Sequence, residues 1–149
     1  MATLTVTHTE SLVLDGRDRS ASKTFTVSDI AEIYERTLTV PTTETVLVAF
    51  DSTVEGAAVE LPTANAKYIR ITNVHASNSV ELGVIGAATN YQVTLVAGQS
   101  HILGAAAALM LAEADTDPSF GTMSDVSSIE AKAISSAATV EVYVASISS

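Results

Sequence analysis

Period-two alternation governs this chain. Thr3, Thr5, Thr7 and Thr9 fall on one side of an extended segment, and Leu4, Val6 and His8 fall on the other. Successive side chains of a strand point to opposite faces, so this is the pattern of a half-buried strand. The alternation restarts after almost every turn signal, at residues 23–28, 67–74, 80–85, 91–96, 100–103, 129–134 and 140–144. Pro41, Pro62, Asp15-Gly16 and Ala97-Gly98-Gln99 punctuate it, and Gly98 can take positive φ without a Cβ penalty. About ten short strands at this spacing, with no secure helix, predict an all-β sandwich or barrel.

Several segments need a decision. Ser28, Asp29 and Glu32 have the make-up of a helix cap. Against that, Tyr34, Leu38 and Val40 share a strand face with Arg36, and Thr37 and Thr39 lie opposite, so a strand is expected from 32 to 40. Residues 45–50 are nearly all apolar and read as a central strand covered on both faces. Residues 57–61 read as a weak strand, and Gly83 as a bulge or a close approach. Residues 104–114 have helix propensity, but their shortness and β neighbours favour a strand around 109–112. One domain spans 1–149, with an N-terminal strand and arm over 1–22 and a long loop over 114–128. Loops of that length are usually functional.

Composition excludes several classes. The chain of 149 residues has no cysteine, so it has no disulfide framework, Cys-ligated zinc or thiol chemistry. Acids outnumber bases 17 to 7, and the net charge of -10 argues against nucleic acid and anionic membranes as partners. The N-terminus lacks the basic and apolar regions of a secretory signal. The longest apolar run, 105–112, is too short to span a bilayer, which takes about 20 residues. A mean hydropathy of +0.33 is high for a soluble monomer and implies apolar surface buried between subunits.

Catalytic candidates are weak. His8, His75 and His101 show no ligand spacing. Gly98-Gln99-Ser100-His101-Ile102 fails as a nucleophile elbow, since Ile102 stands where the second glycine belongs. Glu113, Asp115 and Asp117 are the best metal candidates, but Pro118 interrupts them and they fit a solvated loop better than a cation site. Without Trp, and with Tyr34, Tyr68, Tyr91 and Tyr143 each on a strand, the chain lacks obvious sugar-stacking platforms. Arg17, Arg19 and Lys23 form the one basic cluster, interleaved with Asp15 and Asp18, and suit a partner-docking ion-pair site. These readings point away from an enzyme and call for no cofactor.

A resemblance adds to this. Lys67-Tyr68-Ile69-Arg70-Ile71-Thr72-Asn73, then Ser79-Val80-Glu81-Leu82-Gly83, then the run from Tyr91 to Ser100 are followed by Ile129-Glu130-Ala131-Lys132-Ala133 and the run from Thr139 to Val144. This succession resembles small virion proteins of tailed bacteriophages, of the capsid decoration or cement type. It covers residues 67–145, and more loosely 37–50, and departs at 104–128, which looks like an insertion. The resemblance implies a jelly-roll-like β-sandwich, usually trimeric, attached to a capsid or tail. It carries over no functional residue.

The expectation is therefore a structural virion protein on the capsid exterior, made in a bacterial cytoplasm. It would bind the major capsid protein lattice and stabilise it as a homo-oligomer, expected to be a trimer, with no nucleic acid or membrane partner. Candidate contacts are Thr5 and Thr7 on the first strand, Arg17, Asp18 and Arg19 in the charged turn, and Asp117 and Phe120 in the long loop. The alternatives are another virion component (head fibre, tail adaptor or baseplate protein) or a jelly-roll carbohydrate-binding module.

Overall fold

The computed structural model describes residues 1–50, 60–87, 89–111 and 121–148. Every regular element among them is a strand: β1 (Ala2–Glu10), β2 (Val13–Leu14), β3 (Arg17–Asp18), β4 (Ala21–Val40), β5 (Thr45–Phe50), β6 (Glu60–Leu61), β7 (Ala66–Asn73), β8 (Val80–Gly86), β9 (Asn90–Leu95), β10 (Ser100–Leu103), β11 (Met110–Leu111), β12 (Met123–Ser124), β13 (Val126–Ala133) and β14 (Ala138–Ile147).

Two five-stranded sheets carry the fold, ordered β1-β4-β14-β7-β10 and β6-β5-β13-β8-β9. Leaving out the first member of each, every strand of one sheet holds the place of its chain neighbour in the other. β4 matches β5, β14 matches β13, β7 matches β8, and β10 matches β9. A folded-over antiparallel ribbon gives this order, and the result is a jelly-roll-like sandwich. The pairing is antiparallel except between β5 and β6.

The alternation explains the register. Val140, Val142 and Val144 of β14 are fully buried, and Val142 and Val144 sit opposite Ile71 and Ile69 of β7. In the facing sheet, Ile129 and Ala131 of β13 sit opposite Val84 and Leu82 of β8. Slipping one strand by a residue would turn these side chains out and expose the polar set, so the pattern holds the pairing. Each fully buried Ile, Leu or Val contributes about 1.5–3 kcal/mol. Among the described residues Thr63, Asn73, Ser128 and Ser146 are the buried polar ones, and Asn73 is the most deeply buried. Its Nδ2 donates to the carbonyls of Asn78 (2.8 Å) and Leu95 (2.9 Å), and its Oδ1 accepts from the His75 N–H (3.1 Å), which clamps the corner between β7 and β8.

The N-terminal arm is longer than the sequence reading. β1 pairs with the first half of β4, from Glu10 opposite Ala21 to Ala2 opposite Ile30, and the second half of β4 pairs with β14. Residues 23–28 are therefore the second strand of the arm, which ends near Ile30 rather than at residue 22. They run on into the 32–40 strand as one 20-residue element. The Ser28-Asp29-Glu32 signal marks a bend, not a helix start. Register breaks fall on both sides of it, and Asp29 takes φ 63. Bulges of this kind turn a strand, and Asp tolerates the left-handed conformation better than most residues.

Two further readings change. Gly83 is no bulge: it pairs in regular register with Gln92 on one side and Glu130 on the other. The expected loop 114–128 ends early, since Met123–Ser124 pairs with Met110–Leu111 and β13 starts at Val126, whose side chain is fully buried. The expected strand around 109–112 is seen at Met110–Leu111. Gly98 takes φ 81, as its turn requires.

Candidate functional site

The arm has two unlike faces. Thr5, Thr7 and Thr9 lie opposite Thr26, Thr24 and Ser22, giving a ladder of hydroxyls. Thr7 and Thr24 bond to one another at 2.9 Å, and Thr9 and Ser22 at 3.2 Å, so the hydroxyls partly satisfy themselves and the face stays flat and exposed. The other face packs Leu4, Val6 and Val27 against Tyr68, Tyr143 and Ala145 on the outer side of the β14/β7 sheet. A row of rings runs across this contact: His8 on Phe25 at 6.1 Å, Phe25 on Tyr68 at 6.2 Å, and Tyr68 edge-on to Tyr143 at 6.0 Å. The Arg70 guanidinium lies 5.1 Å from the Tyr143 ring centre and pairs with Glu141. Tyr68 is only 4% exposed, and that burial raises its phenol pKa. It anchors the arm and offers no sugar platform.

The tip of the arm is built to present side chains. Asp15 and Gly16 take φ 51 and 72, which close the two-residue hairpin between β2 and β3. This is the turn whose twist matches that of the strands. The Arg19 N–H donates to the Leu12 carbonyl at 2.8 Å, and the Ser20 N–H donates to Asp18 Oδ1 at 2.8 Å. Hydrogen bonds from the Ser20 hydroxyl and backbone hold the Asp18 carboxyl below the usual range. Leu12, Val13 and Leu14 stand 52%, 69% and 55% exposed on this turn. Arg17 lies opposite Leu14 and Asp18 opposite Val13, Arg19 is tied to Leu12 through the backbone, and Lys23 lies farther back along the arm, opposite His8. The ion pairs of the described residues, Arg70–Glu141 and Lys132–Glu81, leave these three bases out.

A polar cleft of about 250 Å³ lies on the outer side of the other sheet. Glu44, Glu81, Gln92, Glu130 and Lys132 line it, over a floor at Gly83. Register brings them together, since Gly83 lies between Gln92 and Glu130, and Glu81 lies opposite Lys132. The hydrogen bond from Lys132 to Glu81 raises the lysine pKa, and Glu44 adds to the shift. Three carboxylates against one ammonium leave the cleft negative. Sequence reasoning missed it, because each residue alone is an ordinary outward position.

The remaining candidates separate. Thr5 and Thr7 are on the hydroxyl ladder, and Arg17, Asp18 and Arg19 are at the tip. Glu113, Asp115, Asp117 and Phe120 lie outside the described residues. The histidines do not converge. His8 stacks on Phe25, and His75 Nδ1 accepts from the N–H groups of Ser77 and Asn78. His101 Nε2 meets the Tyr91 hydroxyl at 2.9 Å, bridging β10 and β9, and desolvation there lowers the histidine pKa. Among the described residues no three His, Asp or Glu side chains are placed to hold a metal ion. Compared with models of protein families, with curated proteins and with solved structures, the chain matches none of them.

Proposed function

We propose that this chain is a structural virion protein, a decoration protein that binds the outer face of a bacteriophage capsid lattice. The arm carries this reading. It adds β1 at the end of a sheet, an exposed strand which among the described residues has a strand partner on one edge only. An open strand edge is a template for pairing with another chain, and the flat hydroxyl ladder beside it suits a polar protein surface. Many copies, each weakly held, would stabilise an assembled lattice that they bind in preference to free subunits. The acidic body favours the outside of a shell, away from packaged nucleic acid.

Co-sedimentation with purified empty shells of the parent phage tests this. The intact chain should saturate at a fixed number of copies per shell. A variant with Thr5→Glu and Thr7→Glu, which places charge on the ladder, should lose most of that binding. A chain that stays in the supernatant, or a variant that binds as well as the parent, would refute the assignment. Hundreds of copies per shell would mean decoration, and a ring of a few would mean a tail component.

A further inference from the structure

Four strands end the two large sheets: β1, β10, β6 and β9. Three of them offer little to another chain. β6 is two residues long and stops at Pro62. β10 is four residues long, and its His101 bonds to Tyr91 of β9 at 2.9 Å, so these two ends close on each other. β1 is different. It runs for nine residues and pairs with β4 in unbroken register from Leu4 to Glu10. Its outer edge has no strand partner among the described residues. Exposed edges are normally blunted by Lys, Pro, a bulge or an inward charge. Residues 3–9 contain no Lys, Arg, Asp, Glu or Pro, and the one register break in the β1/β4 pair lies before Leu4. A long edge without these devices is fit for pairing.

The sequence of β1 reads alike in both directions. Thr3, Thr5, Thr7 and Thr9 alternate with Leu4, Val6 and His8, and Val6 is the centre. We infer that the free edge of β1 pairs antiparallel with β1 of a second copy, about a two-fold axis at Val6. In that register Thr3 lies opposite Thr9 of the other copy, Leu4 opposite His8, Thr5 opposite Thr7, and Val6 opposite itself. Glu10 falls opposite Ala2, so the two copies bring no carboxylates together. Centring the pair on Thr5 or Thr7 instead would leave part of the threonine row unmatched. The chemistry of the contact is already present on the other edge of β1. There Thr7 meets Thr24 at 2.9 Å and Thr9 meets Ser22 at 3.2 Å. A hydroxyl has one donor and two acceptor lone pairs, so one already bonded to β4 can take a second partner across the new edge.

Such a contact is isologous, because each copy gives the same residues that it receives. The product is a dimer, where the resemblance implies a trimer. It joins β4-β1 of one copy to β1-β4 of the other, and the hydroxyl ladder doubles in width on one face. The pair occupies the edge of β1 and leaves that wider face for the shell. Charge sets how the dimer responds to salt. Each copy carries a net charge of -10, so the bodies repel, while the paired strands are uncharged from residue 3 to residue 9. Screening removes the repulsion and spares the hydrogen bonds.

Sedimentation velocity on the intact chain, with no shell present, should show a monomer and a dimer. The dimer should gain with protein concentration and from low to high salt. Thr5→Glu with Thr7→Glu sets like charges opposite one another across the axis and should weaken the dimer about tenfold. Thr5→Lys with Thr7→Glu places as many charges on the ladder but sets unlike charges opposite, and should associate at least as well as the parent. Thermal melts of each variant confirm folding. Because the chain has no cysteine, the register can be read directly. Mild oxidation of a mixture should join a Thr5→Cys chain to a Thr7→Cys chain faster than it joins either to its own kind, since like positions lie on the diagonal. A monomer at every concentration and salt, a trimer without a dimer, two charge variants that associate equally, or cross-linking without preference would each overturn the pair. Shell binding by a chain that never self-associates would refute the pair and leave the decoration reading standing, and dimers that never bind a shell would do the reverse.

Discussion

Replacing Asn73 with leucine should destabilise the sandwich out of proportion to the small change in volume. Asn73 is fully buried and makes three hydrogen bonds, two as donor and one as acceptor. Leucine makes none. The Leu95 carbonyl is left buried and unpaired, at a cost of about 1–3 kcal/mol. The Asn78 carbonyl and the His75 N–H are part-buried and within reach of water, so each loses about 0.5–1 kcal/mol. The total, about 3 kcal/mol, is a large share of the roughly 5–15 kcal/mol that holds a domain folded. It should lower Tm by about 6–12 °C, at roughly 2–4 °C per kcal/mol for a chain of this size. Urea unfolding followed by circular dichroism and tyrosine fluorescence would measure it, with parallel transitions by both probes as the check on two-state behaviour. Asn73→Asp is a useful control. It keeps an acceptor, loses both donors and places a charge against two carbonyls, so it should be worse than leucine at neutral pH and recover on acidification. A loss under about 1 kcal/mol for Asn73→Leu would refute the reasoning, because it would mean that water or a backbone shift replaces the amide at little cost.

Other consequences are as direct. Desolvation lowers the His101 pKa below 6.5, so the neutral form stabilises the fold. That contribution is complete above pH 6.5 and is lost as pH falls through the lower folded value; the fall in Tm between pH 7 and pH 5 should shrink in His101→Gln. Gly98→Ala forces a Cβ onto a residue at φ 81 and should cost about 1–2 kcal/mol, read from the urea midpoint. Phe25→Ala removes the ring between His8 and Tyr68 and should loosen the arm by about 1 kcal/mol. Hydrogen exchange should then quicken in β1 while β13 and β14 keep their protection, and equal loss across all strands would show that the arm is not a separate unit.

Much of the sandwich was legible because its strands are half-buried. Ile69 and Ile71, Val80 and Leu82, and Val140 to Val144 each alternate cleanly, and the buried positions coincide with the apolar ones. The junction at Ser28-Asp29 was not. A polar pair that bends a strand and a polar pair that caps a helix have the same composition, and only pairing partners distinguish them. Gly83 stayed ambiguous for a related reason, since a missing side chain can mean a bulge or a close approach, and only the regular pairing and the nearby Ile85 side chain decide for the second. The cleft was hidden because Glu44, Glu81, Gln92 and Glu130 come from four separate segments, each an unremarkable outward position until register aligns them. The basic cluster at Arg17, Arg19 and Lys23 was visible, but the exposure of Leu12, Val13 and Leu14 was not. Nothing local says that a hairpin tip carries apolar groups with no core beneath them.

The order of strands also sets a schedule. β13 and β14 stand inside both sheets, between β5 and β8 and between β4 and β7, yet they are the last of the described strands to leave the ribosome. Val140 pairs with Leu38, about a hundred residues earlier, and such distant pairings are slow to form. Until that final ribbon slots in, the earlier strands cannot complete either sheet, and their edges and apolar faces stay open to other chains. The arm and the β8–β9 hairpin, which pair sequence neighbours, can form early. Completion of the fold is thus one late event for each molecule. The surplus of carboxylates that keeps finished copies apart in solution would do the same for chains still waiting to close.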